Sequence, residues 1–180
     1  MAAKGGAVGT FSAATGASGA GAGHPVEFAS WVEPHLPAMA RLAGRLVPEA
    51  DRDDVVQEAL VRAWRRRATY RHERGTVSTW LLAIVAGCAR RSRVRAPRDR
   101  PVEAAPAKET VTTADPDRDI DLERALRGLP RRERLAVALY YFLDLDTAET
   151  AAVMGCSVGT VKATLHHARA RLRAHLEGGR

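Results

Sequence analysis

The sequence predicts an all-α protein of two small helical domains joined by a flexible linker. Three observations lead there. Apolar residues recur at helical spacing, and no segment alternates apolar and polar long enough to make a strand. Near the end of the chain, from Asp146 to Leu172, a short helix, a glycine and a long basic helix follow one another. Between residues 96 and 118 the periodicity fails, because Pro97, Pro101, Pro106 and Pro116 interrupt a stretch dominated by Ala, Thr and Asp.

Residues 1–23 are mostly Gly, Ala, Ser and Thr with almost no charge, which reads as a disordered leader. They lack the charged start and apolar core of a signal peptide, and no apolar run reaches the roughly eighteen residues of a membrane span, so no membrane insertion is expected. The first helical block covers residues 24–95. Phe28, Trp31, Leu36, Met39, Leu42 and Leu46 line one stripe, which Pro34 and Pro37 should break. After Pro48, Asp51 opens a helix with Asp53 and Asp54 in its positive first turn. Its expected core face is Val56, Leu60, Ala63 and Trp64. Thr69 to Thr76 reads as a polar loop. Trp80, Leu81, Ile84, Val85 and Cys88 then drive a third helix that runs out into Arg90, Arg91, Arg93 and Arg95.

The linker, 96–118, could reach about 70 Å at about 3.3 Å per residue. The second block covers residues 119–176, leaving 177–180 as a tail. Leu122, Ala125, Leu126 and Leu129 make one amphipathic helix. Pro130 is placed to start the next, with Leu135, Leu139 and Phe142 facing inward.

The helix-turn-helix is the most specific local signal. Asp146 with Glu149 forms an acidic variant of the capping box. Gly155 stands where a left-handed residue should end that helix, and Ser157 can cap the next. Val161, Leu165, Ala168 and Leu172 then make one apolar face. The opposite face carries Gly159, Thr160, Lys162, Ala163, His166, His167 and Arg169, which are small, basic or hydrogen-bonding, as entry into a major groove requires. An ordinary surface helix with a solvated basic face is the alternative.

Net charge is +7, which favours an anionic partner. It is concentrated in residues 61–100, where twelve arginines meet two acids, so a second basic element lies well away from the helix-turn-helix. Lysine occurs only at positions 4, 108 and 162. Cys88 and Cys156 belong to no Cys-x-x-Cys pair and read as buried thiols in a reducing cytoplasm. His166 and His167 are adjacent on a helix and point about 100° apart, a poor geometry for sharing a metal ion. No metal-ligand spacing, nucleophile–base pair or phosphate-binding glycine loop is present, so neither a cofactor nor an enzymatic role is expected.

Four segments together carry a resemblance: Asp53-Asp-Val-Val-Gln-Glu-Ala-Leu-Val-Arg-Ala-Trp64, Ser78-Thr-Trp-Leu-Leu-Ala-Ile84, Leu129-Pro-Arg-Arg-Glu-Arg134 and Gly155-Cys-Ser-Val-Gly-Thr-Val-Lys162. In this order and across a linker of this length, the chain resembles the extracytoplasmic-function sigma factors, two-domain transcription initiation factors of bacteria. The likeness covers roughly residues 26–95 (region two) and 119–176 (region four). It implies that Asp54, Gln57, Glu58 and Arg62 dock on the clamp helices of the large subunit of core RNA polymerase. It implies that the loop Thr69–Thr76 traps a flipped base of the minus-ten element, with Tyr70, Arg71 and His72 as stacking or hydrogen-bonding groups. Thr79 and Trp80 belong to the same expected surface, although a core role suits Trp80 equally well. Arg90, Arg91, Arg93 and Arg95 would hold phosphates or the displaced strand. Ser157, Gly159, Thr160, Lys162, Ala163, His166, His167 and Arg169 would meet minus-35 DNA. An anti-sigma factor is a further implied partner, which no residue of this chain shows.

The chain departs from the family pattern at Thr164 and His167, near which an arginine is usual. The other reading of the residues is a stand-alone helix-turn-helix regulator, which would leave the arginine-rich first block unexplained.

Overall fold

Pro34 and Pro37 decide how the chain starts. In a computed structural model, which describes residues 25–95 and 116–178, helix α1 (Pro25–Val32) ends in a 3-10 turn (Glu33–His35) containing Pro34. Helix α2 (Leu36–Leu46) then restarts with Pro37 in its first turn, where a missing N–H breaks no helical bond. The break expected from the two prolines is therefore present. The leader, the interior of the linker and the last two residues lie outside the described residues.

Helix α3 spans Glu49–Arg66, directly after Pro48, and so begins two residues before the expected start at Asp51, with Glu49 and Asp51 as the acids of its first turn. Its core face includes Ala63 as expected and is otherwise shifted. Val55, Ala59 and Ala63 are the buried positions, while Val56, Leu60 and Trp64 pack only partly against the core. Short 3-10 turns (Arg67–Thr69 and His72–Arg74) shape the following loop. Helix α4 (Val77–Arg95) buries Leu81, Leu82, Ile84, Val85, Cys88 and Ala89. Burial pushes the Cys88 thiol up, against a weaker opposing pull from Arg91. Cys156, expected to be buried, is only partly so.

Pro116, read above as a linker residue, is the first residue of α5 (Pro116–Gly128). Helix α6 (Arg131–Val137) passes into one π-helical turn (Ala138–Phe142), closed by the Leu145 amide donating to the Leu139 carbonyl at 3.1 Å. Helices α7 (Thr147–Met154) and α8 (Val158–Gly178) complete the fold. Two residues assigned to apolar stripes, Leu36 and Leu122, are exposed at 36% and 39%. Among the described residues there is no strand, and no helix is long and apolar enough to cross a membrane.

Two hydrophobic clusters hold these helices. The smaller lies within the second half: Leu126, Leu129, Ala136, Val137, Ala151, Val161, Leu165 and Ala168. The larger belongs to both halves. Met39, Leu42, Val55, Leu81, Leu82, Val85 and Cys88 are joined there by Ala138, Leu139 and Val153 from the far side of the linker. Helix α7 packs along α4, and α6 rests on α2. Arg45 of α2 forms an ion pair with Glu123 of α5 and lies 4.0 Å from the centre of the Phe142 ring. The two helical bodies expected from sequence are thus in contact.

Candidate nucleic-acid and polymerase interfaces

Helix α8 is positioned by local chemistry. The Asp146 carboxylate accepts from the amides of Ala148 (2.7 Å) and Glu149 (2.8 Å), and Glu149 accepts in return from the Asp146 amide at 3.0 Å. Three amide donors at the start of α7 are thereby satisfied. Gly155 ends α7 at φ 63°, the left-handed conformation that the turn requires. The Ser157 hydroxyl accepts from the Thr160 amide at 3.2 Å and shares a 2.9 Å hydrogen bond with the Thr160 hydroxyl. Val161, Leu165 and Ala168 are buried against α6 and α7, with Leu172 packed beside them. This leaves Ser157, Gly159, Lys162, Ala163, His166, His167 and Arg169 exposed, with Thr160 half-buried. The structure therefore brings the predicted groove-facing set onto one open surface. Ser157 and Thr160 are committed to the cap, and the Arg169 Nε donates to the Leu165 carbonyl at 3.2 Å.

An arginine clamp sets the start of this half. Arg134 donates to the carbonyls of Leu126 and Leu129 at 3.1 Å each, and to that of Arg127. It ties the open end of α5 to α6. Periodicity gives no sign of this role, since Arg134 reads as one more surface charge of the Leu129–Arg134 motif.

In the first half, an aromatic cluster anchors the polar loop. Trp31, Tyr70 and Trp80 form a triangle with ring centres 5.3–5.7 Å apart, and Phe28 joins through Trp31 and Trp64. Arg67 lies 3.8 Å from the centre of the Trp64 ring. The Tyr70 hydroxyl donates to the Gly75 carbonyl at 3.1 Å and so closes the loop on itself. Burial, with Glu73 nearby, raises the Tyr70 phenol above its ordinary value. Tyr70 and Trp80 are therefore partly occupied as loop supports. Thr79 is buried and donates its hydroxyl to the Thr76 carbonyl at 2.9 Å, while its amide donates to the Thr76 hydroxyl at 3.2 Å, so that Thr76 caps α4. Arg71 and His72 are exposed at the loop tip. Trp31, a corner of this triangle that also meets Phe28, reads from sequence only as a stripe residue.

Beyond this loop, Arg90 is exposed and Arg91 half-buried, its Nη2 donating to Cys88 Sγ at 3.7 Å. Arg93 and Arg95 belong to α4, but their side chains lie outside the described residues. Arg90 also faces a cleft of about 220 Å³ between the two halves, whose other charged walls are Arg131, Arg132 and Arg134 and whose floor includes Leu46, Leu135 and Met154.

On α3, Asp54 and Gln57 are exposed, and Glu58 and Arg62 are half-buried. The Arg62 Nε donates to Glu58 Oε1 at 3.0 Å. Val61, exposed at 48%, lies on the same side. An apolar side chain inside a polar stripe suits a protein partner better than solvent. Among the described residues no group of His, Cys, Asp and Glu could hold a metal ion.

Comparison with known proteins accounts for both halves. Residues 31–98 match Sigma-70 region 2, and residues 119–172 match Sigma-70, region 4. The chain is 34% identical to the RNA polymerase sigma-E factor of Streptomyces coelicolor over 157 residues, covering 86% of this chain and 88% of that protein. It is 32% identical to the ECF RNA polymerase sigma-E factor of Escherichia coli K12, covering 73% and 76%. Among solved structures it is similar to the sigma factor RpoE in complex with the anti-sigma factor NepR from Bartonella quintana (25% identity, TM-score 0.67, 86% of this chain and 99% of that one). It is also similar to CnrH in complex with the cytosolic domain of CnrY (27%, TM-score 0.65, 88% and 92%). The region-2 match explains the arginine-rich first block and sets aside a stand-alone helix-turn-helix regulator. With both regions present in one chain, the protein belongs to the extracytoplasmic-function (ECF) sigma factors and is an alternative sigma factor directing transcription initiation.

Proposed function

We propose that the chain works by binding, not catalysis, as a dissociable subunit of core RNA polymerase in the cytoplasm. Residues 24–95 hold the polymerase clamp helices and unpaired minus-ten DNA. Residues 119–176 hold duplex minus-35 DNA. The observation that carries this reading is the open face of α8, on which Lys162, His166, His167 and Arg169 stand exposed opposite the buried Val161, Leu165 and Ala168. On α3 the stripe of Asp54, Gln57, Glu58 and Arg62, with Val61 among them, serves as the polymerase contact. Arg71 and His72 meet the flipped base, Tyr70 and Trp80 stiffen the platform beneath them, and Thr79 acts through its bonds to Thr76, the residue that caps α4. Arg90, Arg91, Arg93 and Arg95 bind phosphates of the opened strand. An anti-sigma factor is a further partner, supported by the NepR complex of the Bartonella relative.

Runoff transcription with purified core polymerase on a genomic promoter library tests the whole reading. Promoter-specific transcripts that depend on the added chain are expected; their absence from every template sinks it. The docking surface has its own test. Gln57→Ala with Glu58→Ala should leave helical content unchanged, because neither side chain is in the core, and weaken core binding several-fold in a pull-down titration. Normal binding by the double variant would show that this stripe is merely solvated.

A further inference from the structure

Arginines and no acid form the charged walls of the cleft of about 220 Å³ described above. Arg134 is engaged there by the carbonyls at the end of α5. Arg90, Arg131 and Arg132 are exposed, and no carboxylate of the described residues pairs with any of them. Like charges gathered in one place repel, and a bound anion relieves that repulsion. The floor has the opposite character. Leu46, Leu135 and Met154 are only half-buried, so apolar surface stays open at its base. A few converging charges over an apolar bed are the usual make-up of a small-molecule site.

Rim and floor together ask for a molecule of two parts. An inorganic anion would leave the floor wet, and a neutral apolar molecule would leave the guanidiniums without a partner. Three guanidiniums also exceed the single charge of a carboxylate. A phosphate monoester carries about −1.5 to −2 at pH 7 and offers three acceptor oxygens. Arginine forks match those oxygens bidentately. Size sets the body: a cavity of about 150 Å³ takes benzene, so this one has room for a single ring. We propose that the cleft is a binding site for small organic phosphate monoesters, with the phosphate held by Arg90, Arg131 and Arg132 and a ring-sized apolar body resting on Leu46, Leu135 and Met154.

The site is composite, because Arg90 comes from α4 and Arg131 and Arg132 come from α6. Under Proposed function Arg90 holds phosphate of the opened strand. A seated ligand takes that guanidinium away from the strand and so acts against promoter opening. This consequence rests on that reading, and the site itself does not.

Titration calorimetry on the full chain, at fixed ionic strength, tests the site with phenyl phosphate, inorganic phosphate and benzyl alcohol. Phenyl phosphate should bind at least about tenfold more tightly than either of the others, since it alone fills both rim and floor. Arg131→Gln with Arg132→Gln, both exposed and outside the core, should bring phenyl phosphate down toward benzyl alcohol. Ala86→Leu, which fills the cleft from α4, should bring it down to inorganic phosphate. Equal wild-type affinity for phenyl phosphate and inorganic phosphate overturns the site, and so does unchanged binding by the double arginine variant. Permanganate reactivity of a promoter opened in the presence of phenyl phosphate should fall several-fold with the wild type and stay level with the double variant. An equal fall in both overturns the competition for Arg90. Because calorimetry is read on the free chain, a wild type that binds the ligand yet opens no promoter counts against the initiation-factor reading and leaves the cleft standing.

Discussion

Replacing Arg90, Arg91, Arg93 and Arg95 with Gln will lower open-complex formation at least about tenfold near 0.15 M salt and reduce its salt slope by about 3. The reasoning is counterion release. Each phosphate neutralised on a single strand contributes about 0.7 to the slope, and four contacts are removed together. Arg91 differs from Arg90, because its guanidinium is half-buried beside Cys88, so part of its effect comes through packing. A variant that retains Arg91 separates the two contributions: it should keep the wild-type melting temperature and lose most of the slope. Permanganate reactivity of the melted promoter, titrated with salt, is the measurement. An unchanged slope would show that the arginines only complement the end of α4.

Trp31→Ala should be a strongly damaging substitution in the first half. Trp31 touches Phe28, Tyr70 and Trp80, and its removal leaves the loop base without its central ring. A Trp→Ala change in a core costs about 3–5 kcal/mol, and the half-buried position of Trp31 puts it near the lower end, about 3 kcal/mol. Urea unfolding reads that loss directly. Promoter melting should fall with it, because Arg71 and His72 ride on the loop that Trp31 supports. Binding of duplex minus-35 DNA by α8 should be spared, since its side chains belong to the other cluster. A variant that unfolds at the wild-type midpoint would show that the aromatic triangle is incidental to stability.

What could be read from sequence follows a physical division. The helix-turn-helix was legible because its determinants are local: Asp146, Glu149, Gly155 and Ser157 act within a few residues of themselves. The break at Pro34 and Pro37 was legible for the same reason. The core face of α3 was not. Val55 and Val56, Ala59 and Leu60, Ala63 and Trp64 make two adjacent stripes, and the sequence reading takes only Ala63 from the buried one, with Val56, Leu60 and Trp64 from its flank. Close helix packing buries the alanines and leaves Leu60 and Trp64 at the flanks. Leu139 was correctly placed inside, but its neighbours from α2 and α4 come from across the linker, and no periodicity reports a contact at that separation. Thr79 and Tyr70 show the same limit at the site. Polar residues beside the loop proposed to meet minus-ten DNA look free until the cap at Thr76 and the bond to Gly75 account for their hydroxyls.

Lys162 is the sole lysine among the described residues, and it stands exposed on α8. Amine-directed acylation of the folded chain therefore finds one ammonium on these two halves, on the helix assigned to the major groove. Its labelling rate, read by mass spectrometry of one peptide, becomes a footprint with single-residue resolution. Duplex carrying the minus-35 element should slow it, while occupation of α3 alone should leave it unchanged. A basic surface built almost entirely of arginine thus makes its promoter-reading helix chemically addressable with no introduced label.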